Sequence, residues 1–66
     1  MDPKYPSVTL RLTGEDGNAM QILSRARIAL SEADASKDEV KSFWYEATSG
    51  DYDNLLSTTM QWFNVV

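Results

Sequence analysis

Sixty-six residues make one small domain, of a size that buries only about 60% of its unfolded surface and draws extra stability from disulfides, a structural metal or association. The chain has no cysteine and no histidine. That excludes disulfides, thiolate nucleophiles, Ser-His and Cys-His pairs and the usual zinc sites, so association remains and a homodimer or other homo-oligomer is expected. The net charge of −4 is uneven, with residues 1–31 summing to +1 and residues 32–66 to −5. Phosphate neutralisation needs clustered cations, so direct nucleic-acid binding and attachment to anionic membranes are not expected.

No apolar run approaches the roughly 20 residues of a membrane span. Met1–Pro6 lacks the apolar core of a signal peptide, and the expected location is the cytoplasm. With two prolines and little to pack, residues 1–6 read as a mobile arm before a single α+β domain at residues 7–66. Val8, Leu10 and Leu12 then alternate with polar residues, the pattern of a half-buried strand over residues 8–13. Gly14-Glu15-Asp16-Gly17 supplies a turn, and Asn18 caps a first helix with Gln21 at capping-box spacing. Ala19, Ile22, Leu23, Ala26, Leu30 and Ala33 form its apolar stripe, which predicts a helix over residues 18–34.

Ser36-Lys37-Asp38-Glu39 is a second capping box with acids in the first turn. Val40, Phe43, Trp44 and Ala47 are the stripe of the second helix, and Gly50 is placed to end it in a left-handed conformation near Thr48. Asp51 caps a third helix whose stripe reads Tyr52, Leu55, Leu56, Met60 and Phe63. Trp62–Val66 fits either a last helical turn or a short strand. The favoured reading ends the helix near Trp62 and leaves a brief extended tail. A lone strand at residues 8–13 needs a partner for its backbone groups. That partner is either residues 63–66 or the same strand of a second subunit. The expected fold is therefore one strand followed by three short helices, with a short C-terminal strand as the within-chain alternative.

Chemistry finds little purchase. The Gly14–Asn18 turn precedes a helix, yet its spacing matches neither phosphate-binding fingerprint and its acids repel phosphate. Neither Glu15-Asp16 nor Asp51 and Asp53 have the ligand order of a calcium loop. No nucleophile–base set exists, so no catalytic residue, cofactor or metal is expected. Phe43, Trp44 and Phe63 read as core. Tyr45, Trp62 and Ile28 fall off the stripes and, with the edge-pairing Val8, Leu10 and Leu12, are the candidate interface residues. Glu32, Asp34, Asp38, Glu39, Glu46, Asp51 and Asp53 form a candidate acidic surface, with simple solvation as its ordinary explanation.

G-x-x-G-N-A at Gly14–Ala19 and T-S-G-D-Y-D-N-L-L at Thr48–Leu56 resemble motifs of short uncharacterised proteins found in bacteriophage genomes and bacterial chromosomes and plasmids. The resemblance spans roughly residues 7–63. Such proteins often have proline and phenylalanine where this chain has Glu15 and Met20, and many continue into a longer strand-like tail. The resemblance implies a phage or mobile-element setting, hence a host cytoplasm, and carries over no activity or binding residue. The functional expectation is a non-catalytic accessory protein acting through protein–protein contacts as an oligomer, with a host protein as a further partner. Two alternatives stand beside it: an acidic inhibitor that mimics nucleic acid on a host enzyme, and a protein that sequesters a ligand between subunits.

Overall fold

A computed structural model describes residues 3–12 and 18–66. Strand β1 (Tyr5–Leu10) is followed by helices α1 (Ala19–Glu32), α2 (Lys37–Ala47) and α3 (Tyr52–Trp62), then by strand β2 (Phe63–Val65). This is the expected α+β architecture, including the short C-terminal strand. The Gly14–Gly17 turn lies outside the described residues.

The two strands pair in parallel within one chain, with Leu10 opposite Val65 and Thr9 opposite Asn64. Val66 N–H donates to Leu10 O and Leu12 N–H donates to Val66 O, both at 2.9 Å. Of the two partners open to the first strand, the tail is thus the one it takes. The strand also starts earlier than expected, at Tyr5 instead of Val8, so Tyr5 and Pro6 do not belong to an arm. Lys4 N–H donates to Gln61 O at 3.0 Å, and the Tyr5 ring stacks at 6.0 Å on Trp62 and at 6.2 Å on Phe63. Pro6 falls where the register breaks between Tyr5 and Thr9, because proline has no N–H to give the ladder.

Each helix begins on the cap its sequence offers. Asn18 Oδ1 accepts from Met20 N–H at 2.8 Å, Ser36 Oγ from Glu39 N–H at 3.1 Å and Asp51 Oδ1 from Asn54 N–H at 2.9 Å. The end of α1 is a Schellman turn: Ala35 N–H reaches Leu30 O at 3.0 Å, Asp34 N–H reaches Ser31 O at 3.1 Å, and Asp34 takes the left-handed φ of 60°. Gly50 does not adopt the left-handed conformation expected of it. Its missing side chain serves a close approach instead, since a Cβ there would lie 2.9 Å from Asn54 Cβ. Asn54 uses that room to donate from Nδ2 to Glu46 O at 2.8 Å, covering the end of α2.

The core is Leu10, Ile22, Leu23, Ala26, Leu30, Phe43, Ala47, Leu55, Trp62 and Phe63. The stripe of α3 differs from the expected one. Its buried residues are Leu55, Thr58, Thr59 and Trp62, while Met60 is 57% exposed and Tyr52 43%. Thr59 can be fully buried because its hydroxyl donates to Leu55 O at 2.8 Å, leaving no unmet polar atom. Phe43 meets Trp62 and Phe63 edge-on at 5.4 and 5.5 Å, which completes a four-ring cluster with Tyr5. Phe63→Ala should cost about 3–5 kcal/mol in urea unfolding, whereas Met60→Ala should change stability by less than about 0.5 kcal/mol.

Candidate functional site

The short connection at residues 33–36 turns α2 back along α1. Ser31 and Lys37 line one hollow at the connected end, and Ala19 and Thr48 line another at the far end, so the helices run antiparallel. Between them lies an open trough of about 390 Å³ lined by Arg27, Val40, Lys41, Trp44, Tyr45 and Thr48. A second hollow of about 360 Å³ shares Arg27, Val40 and Lys41 and extends to Ser31, Ala35 and Lys37. The two adjoin along the α1–α2 seam through these shared residues.

Helical spacing places these residues. On α2, Lys37, Lys41 and Thr48 project to one side, with Val40 and Trp44 just inside that line, nearer the core. Val40 and Trp44 are half-buried and pack on the core as the floor. Arg27 stands across from them on α1. Tyr45 rises at the rim, 77% exposed. Thr48 closes one end, its hydroxyl donating to Trp44 O at 2.7 Å.

The charge arrangement runs against the chain's overall acidity. Among the described residues, no carboxylate oxygen lies within 4.0 Å of Arg27, Lys37 or Lys41. The acids of α2 nearest the core are engaged elsewhere. Glu39 meets Lys4 Nζ at 3.2 Å instead of reaching back to close the capping box, and Glu46 Oε1 accepts from Trp62 Nε1 at 3.5 Å. Three cations therefore border an apolar floor with one large exposed aromatic ring. Such a surface suits a ligand that is anionic at its edges and apolar at its centre.

The residues singled out from sequence are not brought together. Ile28 is 58% exposed on α1 and outside the trough lining. Tyr45 is part of it. Trp62 is a correction: it is 3% exposed, because α3 turns position 62 inward with Leu55 and Thr59, and Lys4 Nζ sits 4.4 Å above its ring. Leu10 is buried, and Val8 and Leu12 are partly buried against the core, so strand pairing and packing already use them. Of the seven acids proposed as a surface, Glu39, Glu46 and Asp51 have the local partners described above. Glu32, Asp34, Asp38 and Asp53 are exposed. The described acids form no group of three that could hold a metal ion, and no described helix is long and apolar enough to cross a membrane.

Arg27, Lys37 and Lys41 were not singled out as a set, and the only sequence signal for them is the four-residue spacing of the two lysines beside Trp44. Comparison with known proteins finds no matching family model, curated protein or solved structure.

A binding surface can be altered without harming the fold, and that separates the trough from the core. Tyr45→Ala and Lys41→Glu should each shift unfolding free energy by less than about 0.5 kcal/mol, while Trp62→Ala should cost about 3–5 kcal/mol. Urea denaturation of the three variants measures this directly.

Proposed function

We propose that this chain is a non-catalytic interaction protein whose α1–α2 trough receives an acidic, apolar-anchored segment of a protein partner. The observation that carries the reading is the convergence of Arg27, Lys37 and Lys41 on a floor of Val40 and Trp44, with no carboxylate among the described residues within 4.0 Å of the cations. Unpaired cations are well solvated and need no partner for folding. Arg27 with exposed Tyr45 and half-buried Trp44 matches the composition of interface hot spots, which are enriched in Trp, Tyr and Arg, while Lys37 and Lys41 supply rim charge.

Shape and net charge narrow the class of partner. Small-molecule sites enclose most of their ligand, about 70–90% of its surface, whereas this trough is open along its length. A nucleic acid would bring a long run of phosphates to a chain of net charge −4, and three cations offer little against that field. A short acidic segment presents its charge only locally. An accessory role in a phage or mobile-element setting fits a chain that acts by occupying or bridging other proteins. The acidic-mimic alternative draws less support, since three of its seven acids already satisfy local groups.

Tryptophan fluorescence tests the reading, because Trp44 lies in the trough and Trp62 is buried. A synthetic dodecapeptide with Asp and Glu flanking a central Phe-Leu pair should shift the emission and saturate. Lys41→Glu should weaken that binding about tenfold, and binding should weaken as salt screens the rim. A polyuridine oligonucleotide that binds more tightly than the peptide, or a peptide that never shifts the emission, would contradict the proposal.

A further inference from the structure

Every residue lining the trough and the hollow that adjoins it falls on a row of positions four apart. On α2 the rim row is Lys37, Lys41 and Tyr45, and the row beside it is Val40, Trp44 and Thr48. Across the seam, Arg27 and Ser31 repeat the spacing on α1, and Ala35 follows at the same interval in the connection. Rows at this spacing are the ridges of a helix surface, and the grooves beside them take the ridges of another helix. An extended segment fits less well. The walls are two helices whose N–H and C=O groups bond along their own axes, and no residue of β1 or β2 lines the trough. Strand-like docking draws its affinity from a free sheet edge. Here the backbone of an extended segment would lie unpaired on an apolar floor, whereas a helix satisfies its own backbone groups.

Resting on the trough as a docking site, we infer that the partner's acidic segment binds there as an amphipathic α-helix, laid along the α1–α2 seam as a third helix. Its apolar stripe lies on Val40 and Trp44, and carboxylates border that stripe on both flanks. One flank meets Arg27 and the other meets Lys37 and Lys41, cations with no carboxylate within 4.0 Å among the described residues. Lys37 and Lys41 stand one turn apart, so carboxylates four residues apart on the partner helix match them. Tyr45 and Thr48 leave the far end uncharged, which suits an apolar end on the partner. From Lys37 to Thr48 the helix α2 rises about 16 Å at 1.5 Å per residue, a length that a partner helix covers in about three turns.

Two synthetic peptides of one composition test this against the full chain, read by Trp44 emission and far-UV circular dichroism. In the first, Leu and Phe recur every third or fourth residue with Glu on both flanks; in the second the same residues alternate as in a strand. At about fourteen residues the first is only marginally helical alone, so the mixture should show more helical signal than the sum of its parts. It should bind about tenfold more tightly than the alternating peptide. Proline at its centre, with the charge unchanged, should weaken binding about a hundredfold. Equal binding of the two patterns, binding that survives the proline, or binding without added helical signal would each overturn the helical mode and leave the proposed function standing. Failure of both peptides to bind would overturn the helical mode and the trough's role together.

Discussion

Two short strands from opposite ends of the described chain run parallel, and the whole of the rest has to bring the chain back to make that possible. Antiparallel strands can be joined by a tight turn, but a parallel pair needs a crossover of a dozen residues or more. Here α1, α2 and α3 are that crossover. The pair is only three residues deep on the β2 side, and so short a ladder is marginal on its own. What secures it is the ring cluster at its start. Tyr5 from β1, Phe43 from α2 and Trp62 and Phe63 from the α3–β2 junction meet within 5.4 to 6.2 Å. Such contacts contribute about 0.5–1.5 kcal/mol each beyond their buried area. Lys4 reinforces them by lying over Trp62 while pairing with Glu39.

This closure decides which surfaces remain for function. Trp62, which looks like an interface anchor in sequence, is drawn into holding the two ends together. The seam between α1 and α2 lies outside that work. Its inner side chains reach the core, and its outer side carries Tyr45 with Arg27, Lys37 and Lys41, which make no ion pair among the described residues. The acids show the same division. Glu39, Glu46 and Asp51 tie Lys4, Trp62 and the start of α3 in place, and Glu32, Asp34, Asp38 and Asp53 are exposed.

Much of the fold was legible because local chemistry and tertiary packing agree. Asn18, Ser36 and Asp51 cap the helices as their spacing predicts, and of the stripe read for α1 Ile22, Leu23, Ala26 and Leu30 are buried, while its terminal members Ala19 and Ala33 are exposed and half-buried, respectively. The misses have physical causes. Threonine looks polar, so the stripe of α3 was drawn through Met60. An internal hydrogen bond hides the Thr59 hydroxyl and moves the true stripe to Leu55, Thr58, Thr59 and Trp62. Tyr5 and Pro6 looked like an arm because proline disfavours strands, yet the register break leaves room for one. Gly50 looked like a helix terminator, and the side chain of Asn54, four residues on, is what requires a glycine there. The trough was the least legible feature. Its cations come from two helices, and only antiparallel packing sets Arg27 beside Lys41.

Hydrogen–deuterium exchange across a dilution series tests the closure of the chain most directly. The Leu12 and Val66 amides, which bridge the two strands, should keep the same protection from high to low concentration, because both partners belong to one molecule. Protection of these two amides that falls away on dilution, while the core amides of α1 and α3 remain protected, would show strands pairing between subunits and would contradict the account.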